Sequence, residues 1–221
     1  MCNLYSMTAT RETIGKLFRI SHNRLAAIEP SSAIFPSNVA SVVRLAPDGE
    51  RELSALSWGF VLLLKGQAPK RVTNVRDDKL GSSFWSASFR ERRCLVPVTA
   101  FSEPKGKRPA TWHWFGLDEN RSAFAFAGIW RSYRGPVKRD GENVEIDVYA
   151  FLTTKPNELV ATVHPSRMPV MLASGSDHDQ WLNGTPDEAR ALIRSYPASD
   201  MAIVQSSTER RDLLEAGRHE Y

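Results

Sequence analysis

The residue with the most distinctive chemistry in this chain stands at its second position. Once Met1 is removed, Cys2 carries a free α-amine and a thiol on adjacent carbons. The amine has a reference pKa of about 7.7–8.0 and the thiol one of about 8.5. Near neutral pH much of the amine is unprotonated, and the thiolate that forms is a strong nucleophile. Such a 1,2-aminothiol condenses with an aldehyde twice: the amine forms an imine, and the thiol closes onto it to give a five-membered thiazolidine. From position alone, an incidental cysteine near a chain end is the commoner reading. Other chemistry-bearing residues are sparse. Five histidines are scattered at His22, His113, His164, His178 and His219, and Cys94 is the other cysteine. There is no Gly-rich phosphate loop, no His-Glu-x-x-His and no cysteine pair at metal spacing, so no cofactor and no metal is expected. Two cysteines exclude a disulfide framework and fit a reducing compartment.

The elements that would position these residues read as one domain over 1–221, built mainly of strands. The 221 residues are 42% hydrophobic and 24% charged, as in an ordinary globular chain. The longest apolar run, Phe60 to Leu64, falls far short of the roughly 20 residues that span a bilayer. Arg11, Glu12, Lys16 and Arg19 leave no room for a signal-peptide core, so a cytoplasmic protein without membrane contact is expected. Thr10 caps a predicted helix over 10–19, with Ile14, Leu17 and Phe18 on one face. Ser31 to Pro36 reads as a loop. Val39 to Leu45 and Leu53 to Phe60 read as strands joined by the turn Pro47-Asp48-Gly49. Further strands are expected at Cys94–Val98, Ala123–Ile129, Ile146–Leu152, Met168–Leu172 and Met201–Gln205. Pro156-Asn157-Glu158 opens a short helix with Pro in its first turn. Asp177–Asn183 and Thr185–Tyr196 read as helices, and the tail after Ser206 is polar. Six or more strands with few helices between them argue for an α+β fold, mostly antiparallel and barrel-like, with short peripheral helices.

The charge is unevenly spread. Residues 65–139 hold sixteen Lys and Arg against six Asp and Glu, while the whole chain carries a net charge of +4. A basic middle on an acidic remainder suits an anionic ligand, nucleic acid above all, or else a solvated surface with scattered cations.

Several motifs in order give this pattern a family likeness. They are Met1-Cys2-Asn3-Leu4-Tyr5, Trp58-Gly59, Thr73-Asn74-Val75-Arg76, and Arg93-Cys94-Leu95-Val96-Pro97 followed by Phe101-Ser102-Glu103. Ala127-Gly128-Ile129-Trp130, Phe151-Leu152-Thr153-Thr154 and His164 ahead of Arg167-Met168-Pro169 complete the series. Over about residues 1–185 the chain resembles the SOS-response-associated peptidase family, abasic-site processing proteins that crosslink to abasic sites in single-stranded DNA. The resemblance implies Cys2 as nucleophile, Glu103 as proton shuttle and His164 beside the cysteine. It also implies a single-stranded DNA partner, removal of Met1 by the chain itself and lyase-type chemistry at the lesion.

Those roles fit the residue types. A carboxylate at a strand end beside an apolar wall such as Phe101 can have a raised pKa and serve both ring opening and dehydration, although Glu103 taken alone reads first as a surface residue in a turn. His164 titrates near neutrality, although a histidine at a helix end is usually structural. Asn74 and Arg76 suit phosphate binding and, at i and i+2 on an extended chain, point one way while Val75 packs inward. Lys70, Arg71, Lys79, Arg90, Arg92 and Arg93 extend a basic track. Phe84 and Trp85 suit base stacking or core packing, Cys94 suits core packing, and His113 reads as a solvent-facing strand residue.

Departures from the family pattern fall around the DNA grip. Asn3-Leu4-Tyr5 replaces Gly-Arg-Phe after the cysteine. Pro104 follows Glu103 where an aromatic is usual, and Asn38-Val39-Ala40 lacks a following Pro. One extra residue separates His164 from Arg167. Leu62, Leu63 and Leu64 stand where many members carry inserting tryptophans. The family's C-terminal motif is not legible after about residue 185. Two alternatives remain at this level: a cysteine peptidase acting in trans through Cys2 and His164, and a non-covalent single-stranded DNA-binding module. A monomer suffices for any of the three.

Overall fold

The computed structural model describes residues 2–21 and 29–214, so Met1, His22, His219 and the last seven residues lie outside the described residues. In chain order the first strands are β1 (Tyr5–Met7), β2 (Ser31–Ile34), β3 (Val39–Leu45), β4 (Arg51–Trp58), β5 (Phe60–Leu62), β6 (Lys70–Val72) and β7 (Asn74–Arg76). Next come β8 (Arg93–Val98), β9 (Ala100–Lys105), β10 (Thr111–Gly116), β11 (Phe124–Pro136), β12 (Asn143–Thr154), β13 (Met168–Pro169), β14 (Met171–Leu172) and β15 (Ala202–Ser207). Five short helices flank them: α1 (Arg11–Leu17), α2 (Ser86–Glu91), α3 (Glu158–Ala161), α4 (Gly175–Asn183) and α5 (Pro186–Ala191).

Five strands close into a barrel. β3 pairs antiparallel with β4 from Val39↔Ser57 to Leu45↔Arg51, and β8 joins β3 at Val43↔Leu95. β11 pairs with β8 and, along its other length, with β12. β12 returns beside β4 in parallel at Val148↔Ser57 and Tyr149↔Trp58, which shuts the ring. The strands are rich in β-branched and aromatic residues, which fit a pleated, half-buried surface. Their inward members Trp58, Tyr149, Phe126 and Phe151 are fully buried. Each such burial contributes roughly 1.5–3 kcal/mol. Trp58 and Phe151 stack at 5.2 Å between centroids, and Phe126 meets Phe151 at 4.6 Å.

A second sheet, ordered β15-β10-β9-β1-β2, packs against one side of this barrel. Tyr5 of β1 stands edge-on to Trp58 at 5.2 Å, and its hydroxyl meets that of Tyr149 at 2.5 Å. The start of the chain is thereby fastened to the barrel core. Antiparallel pairing of β1 with β9, at Tyr5↔Phe101 and Ser6↔Ala100, lays that start alongside Glu103.

The α+β, barrel-like architecture expected from sequence is the one found, with several local corrections. Ser31 to Pro36 is not all loop: Ser31–Ile34 forms edge strand β2, whose backbone pairing with β1 supplies what its small polar residues do not. Pro156 precedes the third helix rather than entering it, because Asn157 is the cap and accepts from the Val160 N–H at 2.9 Å. Met168 to Leu172 splits into two short strands, with β13 on β12 and β14 on β11. The helix expected to run to Tyr196 stops at Ala191 behind a Thr185–Glu188 capping box. The polar tail folds back: Asp212 is buried and ion-paired to Arg121 at 3.1 Å.

Candidate functional site

Cys2 is 1% exposed, and its thiol lies against the Leu4 carbonyl, Sγ to O 3.4 Å. Its own carbonyl accepts a 2.9 Å bond from the Asn74 side-chain amide. The same amide reaches Thr73 Oγ1 at 2.8 Å, and that hydroxyl donates to Asn3 Oδ1 at 3.0 Å. The Trp58 indole N–H holds the Thr73 carbonyl at 3.1 Å. The first residues of the chain are therefore gripped from strand β7 and the barrel rim.

β7 comes to this position by parallel pairing with β12, Asn74 opposite Phe151 and Arg76 opposite Thr153. Alternation then decides each side chain's fate. Asn74 is buried beside Cys2, Val75 packs in the core, and Arg76 stands in solvent. Asn74 is thus tied to the Cys2 backbone, while Arg76 is held by Asp78 through bonds of 2.9 and 2.8 Å. An exposed pair of this kind is worth about 0–1 kcal/mol, so a phosphate can exchange for the carboxylate at small cost.

Glu103 lies within β9, cross-strand from His113, rather than in a turn past a strand end. It is 2% exposed, and its Oε1 has no hydrogen-bond partner among the described residues. Burial pushes its carboxyl up to about 7. Burial also pushes the Cys2 thiol up, and the negative charge of Glu103 adds to this. Asn74 Oδ1 is a second buried polar atom here without a partner. Buried orphaned polar atoms are uncommon and ask for an explanation. Two such atoms near Cys2 mark this as the candidate site.

His164 follows α3, its N–H bonded to the Val160 carbonyl at 2.8 Å. Its Nδ1 lies 3.0 Å from the Arg167 carbonyl. The Arg167 N–H also faces Nδ1 at 3.3 Å, so the tautomer sets whether Nδ1 donates to the carbonyl or accepts from that N–H. Burial lowers the imidazole's pKa below its ordinary value, so it is neutral at pH 7. Arg167 in turn binds the Thr153 carbonyl and Asp77 Oδ1, the latter at 2.7 Å. This ties His164 to the end of β12 that carries β7.

Beside Asn3 opens a cleft of about 490 Å³, lined by Asn3, Thr73 and Asn74, the residues bonded around Cys2, and by Phe35, Leu62, Lys70, Arg71 and Arg210. Gly59 lies behind Arg71 of this lining. Its φ of +110° suits glycine, and a Cβ there would lie 3.1 Å from Arg71 Cβ. Without one, Arg71 reaches the Gly59 carbonyl at 2.7 Å. Lys70 and Arg71 both line the cleft. Arg90 is exposed on α2 and is not part of this lining. Arg93 is spent on structure, bonding the carbonyls of Trp181, Phe89, Arg90 and Gly184.

Phe84 and Trp85 pack on Phe60 at 6.0 and 4.9 Å, with Trp85 buried in the core. Cys94 is fully buried. His113 is only partly exposed and meets Ser206 Oγ at 2.8 Å. Leu63 and Leu64 are about half exposed, at 49% and 48%. Arg210 carries no signal in the sequence, since Glu209 and Asp212 balance Arg210 and Arg211 and the segment reads as a polar tail. No cluster of three His, Cys, Asp or Glu placed to hold a metal occurs among the described residues, and no helix there is long and apolar enough to cross a membrane.

A sequence model of the family described as SOS response associated peptidase (SRAP) matches residues 1–210, further than the roughly 185 residues whose motifs are legible by eye. The chain is 28% identical over 220 residues to proteins called abasic site processing protein YoqW, from Bacillus subtilis strain 168 and from Bacillus phage SPbeta. That alignment covers 94% of this chain and 93% of each relative. A crystal structure from Bordetella bronchiseptica shares the fold at a TM-score of 0.72 and 23% identity, covering 93% of this chain and 98% of that one. One from Bacteroides thetaiotaomicron does so at 0.71 and 18%, covering 91% and 90%.

Proposed function

This chain belongs to the SOS response associated peptidase family, and from that premise we propose that it processes abasic sites in DNA by capturing them covalently through Cys2. The observation that carries the reading is the pairing of a buried Cys2 with a buried Glu103 whose carboxyl sits near neutrality with one oxygen unpartnered. After Met1 is removed, the Cys2 amine attacks the C1 aldehyde of the ring-opened abasic sugar. The carbinolamine loses water to give an iminium that keeps its N–H, and Glu103, protonated, donates the proton that water carries away. The thiol then adds to the iminium carbon. Its proton passes to the Glu103 carboxylate and restores the acid, leaving a neutral thiazolidine whose ring nitrogen keeps the hydrogen of the original amine.

The raised thiol pKa shapes this order. A thiol held protonated by burial is a poor first nucleophile, so the amine leads and the sulfur closes when Glu103 takes its proton. The same property disfavours a peptidase acting in trans, which needs a ready thiolate. Peptidase activity in this reading is confined to the Met1–Cys2 bond. Neutral His164, fixed through Arg167 at the same barrel end, orients the sugar hydroxyl. Asn74 holds the Cys2 backbone so that amine and thiol face one carbon. Lys70, Arg71 and Arg76 hold the phosphates of a single strand, whose splayed backbone lets the sugar reach a recessed nucleophile. Arg90 adds at most a distant contact.

Incubation with a single-stranded oligonucleotide bearing one abasic site, followed by a denaturing gel, tests the reading. The wild-type chain should give a slow-migrating band that survives heat. Cys2→Ala should lose it and instead form a borohydride-trappable imine, with strand cleavage by β-elimination. A Cys2→Ala band as stable as wild type places the nucleophile elsewhere.

A further inference from the structure

The far wall of the cleft holds a cation that capture chemistry does not use. Arg210 lies with its guanidinium carbon 5.0 Å from the Phe35 ring centre and 4.8 Å from that of Trp112. Among the described residues no carboxylate forms an ion pair with it, and none of the residues lining the cleft is acidic. It lines the cleft together with Lys70 and Arg71, so three cations border a space that Asn3 and Asn74 also line.

The segment that carries Arg210 is fastened on its far side. Two residues on, Asp212 is 2% exposed and bonded to Arg121 Nε at 3.1 Å, to Ser6 Oγ at 2.9 Å and, through its N–H, to the Ser32 carbonyl at 2.8 Å. Gln205 adds bonds to the Arg211 carbonyl at 2.9 Å and the Leu213 N–H at 2.8 Å. Arg210 is therefore a presented residue, held at the cleft by an anchored strap.

A planar cation flat on an aromatic ring recognises two things at once. Its face stacks on a nucleobase of any identity, and its edge donates to phosphate. The cleft volume of about 490 Å³ is in the range that holds a small ligand. Resting on the proposed function, we infer that Arg210, backed by Phe35 and Trp112, is the stacking plate for the intact nucleotide next to the abasic sugar. It would hold that neighbour's base and phosphate while the baseless sugar reaches Cys2.

Fluorescence anisotropy with an oligonucleotide carrying an unreactive tetrahydrofuran abasic analogue tests this independently of the covalent step. The central analogue is flanked either by ordinary nucleotides or by further baseless residues. Stacking on one base is worth about 1–3 kcal/mol, a factor of roughly 5–150. Arg210→Ala should weaken binding of the ordinary strand by at least about 5-fold and make the log–log salt slope shallower by about 0.7. Arg210→Lys, which keeps charge and loses the plane, should restore the salt slope but not the affinity. Phe35→Leu should reproduce part of the loss. On the strand with baseless flanks the Ala and Lys variants should differ only through charge. If Arg210→Ala binds the ordinary strand as wild type does, or Arg210→Lys recovers full affinity, the plate is refuted while capture by Cys2 stands. A wild-type chain that forms no heat-stable band on a reactive abasic strand refutes the underlying reading, whatever Arg210 does.

Discussion

Glu103 is where burial becomes chemistry. A carboxyl at its ordinary value of about 4.5 is almost wholly ionised at neutral pH and a poor acid; held at about 7 it can give and take a proton in one cycle. The cost appears in stability. The folded state binds this proton more tightly than the unfolded state, so the group's contribution is full below about pH 4.5 and is lost as pH rises through about 7. Above that, burying the carboxylate costs about 3 kcal/mol. Glu103→Gln cannot ionise, so its stability relative to wild type should be higher at pH 8 than at pH 5, by up to that amount in urea unfolding. Single-turnover crosslinking by the same variant should slow by about 10²–10⁴-fold. If the stability difference does not change between pH 5 and pH 8, the carboxyl titrates normally and is no shuttle. The types at Cys2, Glu103 and His164 were legible from sequence. The burial and missing hydrogen bond that tune Glu103 were not, because they arise from β1, β7 and β9 meeting in space.

At the scale of elements, long alternating strands were readable and short paired ones were not. β3, β4, β8 and the cores of β11 and β12 carry their own apolar pattern. β2, β6 and β7 are three or four residues each, and their pairing comes from neighbours distant in sequence. The tail shows the same limit. Its composition is that of a solvated end, yet Arg121 and Asp212 have side chains 6% and 0% exposed. Breaking a buried pair by removing one partner costs roughly 3–5 kcal/mol. Asp212→Ala should lower unfolding stability by about that much, since it strands Arg121 and also frees Ser6 of β1. A loss below about 1 kcal/mol by urea titration would show that the strap is not anchored through this pair.

Across the whole molecule, two sheets meet where the chain begins, and the cleft at that seam carries cations. The basic excess of residues 65–139 was visible in sequence, but its distribution was not: Lys70 and Arg71 border the cleft, Arg93 caps carbonyls far from it, and Arg210 joins from outside the basic segment. In the proposed mechanism the amino terminus itself is the reactive group. Intact-protein mass spectrometry before and after reaction with an abasic oligonucleotide, with peptide mapping of the adduct, examines that group. Expected are a purified chain lacking Met1, an adduct equal to protein plus DNA minus one water, and its attachment on the peptide that begins at Cys2. A chain that retains Met1 yet forms the adduct, or an adduct mapped to any other residue, would contradict that mechanism.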